Sequence, residues 1–360
     1  ASDLIVHTLP EEKRAPKPAW DKLLFGHHCS DHMIKVRWTK ADGWDTPTIV
    51  PVHNFSMHPY SKVFHYAQEL FEGMKAYRGP DKRIRLFRPD MNMKRMRQSA
   101  ARLCLPDFDG DELIEIMKQL LQIDESWVPP IETNASMYIR PTLMGTEPTL
   151  GVQPSNEAML FVVMGPVGPY FSTSQVKPVS LMANPKYVRA WPGGSGDSKL
   201  GSNYAPTLKA QQEALKRGHQ QVLWLYGDDH QLTEIGTMNI FLFSKRRDGT
   251  LELATPPLTE GLILPGVTRF SLMDLARSYG EFDIVERVIR MQEVEDLIAE
   301  GRLLEIFGAG TACVVSPIGE IGFEGKTLTI PPPKLSLRLL KELTDIQYGL
   351  KPHPWSVVVG

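Results

Sequence analysis

The chain has 360 residues, 42% hydrophobic and 23% charged, with a formal net charge of −2, a globular composition with length enough for two ordinary domains. With 40 basic residues against 42 acidic ones, no electrostatic case exists for a nucleic-acid partner or an anionic membrane surface. The longest apolar run, Ala158 to Gly165, falls well short of the roughly 18–20 residues a membrane span needs.

In chain order, apolar residues recur at helical spacing over Met93 to Leu105 and Asp111 to Ile123, with Gly110-Asp111 as a start for the second. Tyr138 to Leu143 and Ala158 to Met164 read as strands, and the turn-rich stretch from Gly165 to Ser174 reads as an interdomain connection. Gln221 to Tyr226 and Met238 to Phe243 then read as buried strands, and Pro206 to Lys216, Thr268 to Tyr279 and Lys334 to Ile346 as helices. The mixture predicts an α/β (α+β mixed) fold: a small N-terminal domain (1–165), an interdomain loop (166–178) and a large C-terminal domain (179–360) that carries Lys199.

Three cysteines, Cys29, Cys104 and Cys313, show no repeating spacing, which argues against a secreted disulfide framework and for a reducing, intracellular compartment. The sequons at Asn54 and Asn134 are read as chance matches in that setting. The chain starts at Ala1 rather than Met, which reads as processing or trimming, so a targeting segment is not legible.

Four stretches carry candidate chemistry. Lys199 sits among Gly193, Gly194, Gly196, Gly201 and Ser202, where backbone can approach a ligand closely and a partly desolvated lysine can form an imine. A Walker loop is excluded, because Ser198 precedes the lysine and Leu200 follows it. Glu234, between two apolar strands, can hold a heteroaromatic ring nitrogen protonated. Ile263-Leu-Pro-Gly266-Val267-Thr268 opens a helix, and free N–H groups with the positive dipole end suit a phosphate there. Phe307 to Cys313 is a small-residue turn able to present N–H donors to an anion. On local grounds alone, these stretches read more readily as a solvated loop, an ordinary turn or tight packing. Gly26-His27-His28-Cys29-Ser30-Asp31-His32 gathers metal-ligand types, but no second cluster completes a tetrahedral set. If the run is a strand, His27 and His28 point to opposite faces. No metal is expected.

Taken together, the run Gln220 to Phe241 (QQVLWLYGDDHQLTEIGTMNIF), with LFEGMKAYRG, LFRPDMNMKRM, MYIRPTL, LATPPL, ILPGVTR and GAGTACVV, resembles the branched-chain aminotransferases of animal type. The resemblance is collinear over nearly the whole chain. It implies fold type IV of the pyridoxal-phosphate (PLP) enzymes, two domains with the cofactor in the cleft between them, working as a homodimer in the mitochondrial matrix or the cytoplasm. The implied activity is reversible transfer of the amino group of L-leucine, L-isoleucine or L-valine to 2-oxoglutarate, with ping-pong kinetics. D-amino acid aminotransferases and aminodeoxychorismate lyases are the rival activities on this fold, and a non-catalytic interaction protein is the rival outside enzymology.

By the same resemblance Lys199 is the catalytic, Schiff-base lysine. Glu234 meets the ring nitrogen and Tyr204 the ring phenolate, while Arg95, Val267, Thr268 and Thr311 hold the phosphate, and Thr237, Leu264 and Gly266 complete the cofactor contacts. The implied substrate residues are Phe25, Tyr66, Phe71, Tyr138, Arg140, Val152, Tyr170, Thr237, Thr311 and Ala312, with Tyr66 and Val152 reaching the pocket of the partner subunit. Arg140 and the tyrosine hydroxyls suit the distal carboxylate of glutamate, and the Thr311–Ala312 turn the α-carboxylate. Mammalian members carry a CxxC pair where this chain has Cys313-Val-Val-Ser316, so the thiol switch of that pair is expected to be absent.

Overall fold

The structure, a computed structural model, describes residues 2–168 and 177–360. The chain divides into two compact units, one of Ala1–Tyr170, Ser198–Ser202 and Asp345–Gly360, the other of Phe171–Asp197 and Asn203–Thr344.

The first unit is built on a ten-stranded sheet. Its main path runs Ile5–Val6, Thr48–Pro51, His32–Thr39, Glu157–Val167, Ser136–Gly145, Met74–Arg78, Ile84–Phe87 and Ser356–Val358. Gly43–Trp44 and Glu69–Phe71 pair off that path. Ser136–Gly145 and Glu157–Val167 keep an unbroken antiparallel register from Ser136↔Val167 to Gly145↔Ala158. Their β-branched, apolar stretches bury one face against two helices, Pro89–Arg102 and Gly110–Ile123. Met93, Met96, Ala100, Leu113, Met117 and Leu120 pack with Leu70, Met74, Met137, Ile139, Leu143 and Val162 in one core. Both helices start by simple rules. Pro89 occupies the first turn of one, where a missing N–H costs no hydrogen bond. The Asp109 side chain caps the other by accepting from the N–H groups of Asp111 and Glu112, both at 3.0 Å.

In the second unit, Gln231–Ile235, Gln221–Tyr226, Val179–Ala183, Val314–Phe323, Leu303–Gly310 and Met238–Lys245 pair in that order, and the last pairs back with the first. Closure is confined to Ile235↔Met238 and Glu234↔Asn239. Farther along, Met238–Lys245 stays paired with Leu303–Gly310 on one side and pairs on the other with Leu251–Thr255, which Asp283–Glu286 extends. A closed sheet leaves few open edges, and its apolar side chains, including Leu181, Leu223, Ile235, Ile240, Ile306 and Ile321, form a second core.

The expected helices and strands are present with ends shifted by a few residues. Pro89–Arg102 starts four residues before the expected Met93, because the apolar period begins only after the polar first turn. Gln231–Ile235 is a strand where a loop-edge carboxylate was expected; its mixed sequence hides a period of two. The expected interdomain connection also differs, since Glu157–Val167 continues as strand through Pro166, and most of the rest lies outside the described residues. Lys199 was expected on the C-terminal domain, yet residues 198–202 cluster with the first unit. The cause is local pairing: Leu70 and Leu200 form an antiparallel bridge, and the Phe71 N–H donates to the Lys199 carbonyl at 3.1 Å. Residues 345–360 likewise return to the first unit, where Ser356–Val358 pairs with Ile84–Phe87.

His27 and His28 lie before the strand His32–Thr39 rather than in it, so the alternation argument does not apply to them. Asp31 and His32 serve the first unit's own packing: Asp31 accepts from the Trp127 Nε1–H at 2.7 Å, and His32 Nδ1 meets Asp124 at 2.6 Å. Among the described residues, no His/Cys/Asp/Glu group has the arrangement to hold a metal ion, and no helix is long and apolar enough to cross a membrane.

Loss of the Asp109 cap in Asp109→Ala is expected to lower stability by about 1 kcal/mol. This would appear as a lower urea midpoint with an unchanged slope; an unmoved midpoint would remove the cap from the account of this helix.

Candidate active site

In the first unit the site grows from one buried carboxylate. Glu72 is fully buried and takes a two-pronged contact from Arg95, Nε to Oε1 at 2.7 Å and Nη2 to Oε2 at 2.8 Å. Asn92 Nδ2 adds a third bond to Oε2 at 2.8 Å. Burial by itself raises the Glu72 pKa, but the Arg95 guanidinium, with the charge of Lys199 and the Asn92 amide, outweighs it and holds the carboxyl below its ordinary range. Arg95 and Asn92 lie three residues apart on the helix Pro89–Arg102, and Ser99 stands seven beyond Asn92 on the same face. The Ser99 hydroxyl accepts the Lys199 N–H at 2.9 Å. One helix face thus orders both the carboxylate's partners and the lysine's backbone.

Lys199 Nζ lies 4.6 Å from the Phe71 ring centroid, and the Arg140 guanidinium lies at 4.6 Å from that same ring. Arg140 Nη2 donates to the Tyr138 hydroxyl at 3.0 Å, and Phe25 meets Tyr138 edge-on with centroids 4.9 Å apart. Arg140 Nε is buried with no acceptor. Two glycines make this packing possible. A Cβ on Gly73 would fall 2.0 Å from the Tyr138 hydroxyl, and one on Gly201 would fall 1.6 Å from Glu69 Oε1. Glu69 itself is partly buried; desolvation raises its carboxyl pKa, and Arg140 offsets only part of that.

In the second unit the corresponding carboxylate is Glu234, buried on Gln231–Ile235. Its Oε1 accepts the Leu264 N–H at 2.9 Å and Asn239 Nδ2 at 3.2 Å, and its Oε2 lies 3.2 Å from Arg189 Nε. The Arg189 contact is an ion pair whose N–H is not aligned as a hydrogen bond, so that buried Nε lacks an acceptor in the bonding sense. Arg189 Nη2 donates instead to the carbonyls of Leu262 at 2.6 Å and Gly196 at 3.2 Å. The Gly-rich stretch before Lys199 is therefore anchored rather than free, with Asn203 Nδ2 also donating to the Ser195 carbonyl at 2.7 Å. Tyr204 is half-buried, and its carbonyl accepts the Thr207 N–H at 3.0 Å.

Leu264 and Gly266 lead into the helix Val267–Tyr279, which no side chain caps and whose first turn holds no acidic residue. A Cβ on Gly266 would fall 2.0 Å from Asn239 Oδ1, so only glycine lets this helix start lie against Asn239. Thr237 follows Glu234 in the connection to Met238–Lys245, and Thr311 and Ala312 form the turn between Leu303–Gly310 and Val314–Phe323. Asn239↔Ala309 and Gly310↔Val314 pairing brings that turn beside the end of the Glu234 strand. Ser316 is buried with its hydroxyl unpaired, and none of the three cysteines is joined in a disulfide.

Of the expected residues, the first unit brings Phe25, Phe71, Arg95, Tyr138, Arg140 and Lys199 together; the second brings Glu234, Thr237, Leu264, Gly266, Val267, Thr268, Thr311 and Ala312 into one region. Tyr66, at the end of the short helix Lys62–Tyr66, and Val152, in the connection 146–156, are exposed residues of the first unit. Tyr170 lies outside the described residues. Glu72, Ser99, Arg189 and Asn239 were not expected. A glutamate within the apolar run Leu70 to Met74 is the one legible signal among them.

The family model for amino-transferase class IV matches residues 69–321, which defines the class of protein. The cytosolic branched-chain-amino-acid aminotransferase of Mus musculus is 54% identical, with 99% of this chain and 92% of that protein covered. The mitochondrial branched-chain-amino-acid aminotransferase of Rattus norvegicus is 53% identical, covering 100% of this chain and 92% of that protein. Among solved structures, the branched-chain aminotransferase of Thermoproteus uzoniensis with norvaline is 23% identical, with a TM-score of 0.73 over 90% of this chain and 99% of that one. That likeness shows the shared fold. The chain belongs to the class IV aminotransferases, in the family of the branched-chain-amino-acid aminotransferases.

The lowered Glu72 pKa makes a signed prediction. A carboxyl depressed by folding adds stability that is full above its unfolded pKa and is lost as pH falls through the folded one. Glu72→Gln should therefore be less stable than wild type near about pH 7, with the deficit shrinking toward about pH 3. Denaturant midpoints across that range measure it, and a pH-independent deficit would contradict the ionised pair.

Proposed function

We propose that this chain is a PLP-dependent branched-chain amino acid aminotransferase that exchanges the amino group of L-leucine, L-isoleucine or L-valine with 2-oxoglutarate. The observation that carries the reading is the Lys199 cluster: a lysine whose backbone is held by Ser99 and Phe71 and whose ammonium lies against Phe71, near the buried Glu72–Arg95 pair. Its family membership supplies the reaction class.

The donor set fits the cofactor. A lysine suits its aldehyde, a buried carboxylate held by Leu264, Asn239 and Arg189 suits its ring nitrogen, and an uncapped helix start with no acid in its first turn suits its phosphate. When bound, PLP supplies an aldehyde that condenses with amines and a protonated ring that accepts the electron pair left by the departing α-proton.

The residues divide the work as follows. Lys199 Nζ would hold the cofactor by its aldehyde and, when free, would take the proton from the substrate α-carbon as a base and give it up again as an acid at the other end of the transfer. Glu234 holds the proton on the ring nitrogen, and Arg189 with Leu264 and Asn239 holds Glu234. Tyr204 donates to the ring phenolate. Arg95, its guanidinium oriented by the Glu72 fork, binds the phosphate together with the Val267 and Thr268 N–H groups and Thr311. Thr237, Leu264 and Gly266 complete the cofactor contacts.

Phe25, Phe71, Tyr138, Tyr170 and Ala312 offer an apolar and aromatic surface to a branched side chain. Arg140, whose buried Nε awaits an acceptor, suits the distal carboxylate of glutamate or 2-oxoglutarate. The Thr311–Ala312 turn takes the α-carboxylate. The enzyme acts as a homodimer in which Tyr66 and Val152 reach the substrate pocket of the partner subunit. Its setting is the mitochondrial matrix or the cytoplasm; the two relatives above are named mitochondrial and cytosolic.

Lys199→Ala is expected to keep the fold and lower L-leucine transamination by at least about 10³-fold. The visible absorbance of the lysine-bound cofactor should disappear with it, and borohydride reduction of wild type should label Lys199 in peptide maps. Retained turnover, or a label on another lysine, would overturn the assignment. A preference for D-alanine over L-leucine would move the substrate reading to the D-amino acid enzymes of this fold.

A further inference from the structure

The connection between strands Ser136–Gly145 and Glu157–Val167, residues 146–156, is held at both its neck and its tip. At the neck, the Thr146 N–H donates to the Glu157 carbonyl at 2.9 Å, and the Glu147 carboxylate accepts from the Asn156 N–H at 3.0 Å and from its side-chain amide at 2.9 Å. At the tip, Val152 is 81% exposed and Leu150 46% exposed. Lys62, the first residue of the short helix Lys62–Tyr66, is only 2% exposed. Its ammonium donates to the Gly151 carbonyl at 3.1 Å and the Gln153 carbonyl at 3.1 Å, and pairs with Glu147 Oε2 at 3.2 Å.

These three acceptors match the three N–H donors of an ammonium, and all belong to this one connection. A charge is tolerated in a buried position only when it is paired and hydrogen-bonded. Here that pairing straddles Val152, with one acceptor on the residue before it and one on the residue after. The Tyr66 hydroxyl adds a bond to the Leu150 carbonyl from the other end of the same helix. An apolar side chain is thus presented to solvent on a backbone fixed at both neighbours, whereas an exposed tip serving only to join two strands needs no such fixing.

We propose that Lys62 is a positioning residue that sets where Val152 stands, and through it the fit of the substrate side chain. The proposal rests on the reading above that Val152 lines the substrate pocket of the partner subunit. Lys62 touches neither substrate nor cofactor; it acts through the loop. Contact with the substrate side chain persists from ground state to transition state, so loosening Val152 raises KM while leaving kcat in place.

The test compares PLP-loaded wild type, Lys62→Met, Val152→Gly and the double variant. In Lys62→Met, amide exchange at Gln153 and Asn156, whose N–H groups bond within this connection, should quicken by about tenfold while the helix Gly110–Ile123 exchanges as in wild type. KM for L-valine and L-leucine should rise by about fivefold with kcat within about twofold of wild type. In the Val152→Gly background, Lys62→Met should add no further rise in KM, because the side chain it positions is gone. Faster exchange with unchanged KM, exchange that does not quicken, or additive KM effects would each overturn the positioning role while leaving the transaminase reading intact. Inactive PLP-loaded wild type would overturn both. If Lys62→Met yields no folded protein, Glu147→Gln, which removes the ammonium's counter-charge, carries the same readouts with the same expected directions.

Discussion

A carboxylate with no access to water must be answered within the fold, and Glu72 is answered by Arg95 and Asn92. That requirement ties the strand region around Phe71 to the helix Pro89–Arg102. The helix then gives Ser99, on the same face, to the Lys199 backbone. Breaking the pair would leave a buried charge uncompensated on whichever partner remained. The lysine's place in the first unit therefore depends on an ion pair that it does not itself make.

The second unit meets the same problem differently. Glu234 gains one guanidinium, from Arg189, but its hydrogen bonds come from the Leu264 N–H and the Asn239 amide. Arg189 spends its aligned bonds on the Leu262 and Gly196 carbonyls, so one side chain joins the Glu234 strand, the approach to Val267–Tyr279 and the Gly-rich stretch. Gly266 keeps the helix start against Asn239. The elements proposed to meet ring nitrogen and phosphate are thereby held to one another through protein groups alone.

The loop 146–156 shows a third use of buried charge. Glu72 and Glu234 organise groups around them, whereas Lys62 organises backbone carbonyls, which carry no side-chain signature. In each case a polar group is moved out of water and its full set of partners becomes a geometric constraint.

Local pattern was enough to find the long helices and the central strands. Gly110–Ile123 and Gln221–Tyr226 show apolar spacing that no tertiary contact needs to correct. Glycine at 201 was legible as a place where backbone can come close, though not what approaches it. Lys199 and Glu234 were singled out by kind and neighbourhood, Arg95 and Arg140 only by resemblance to the family. Beyond that reach lay Glu72's pairing with Arg95, Arg189's contact with Glu234 and Lys62's grip on the Val152 loop, each between residues distant in the chain. Nor did the chain order reveal that residues 198–202 pack with the N-terminal unit. Propensity and periodicity are local properties that the amino-acid sequence by itself determines. The partner of a buried charge and the unit a segment joins are decided only when tertiary structure removes water and leaves one geometry in which most buried polar groups find partners.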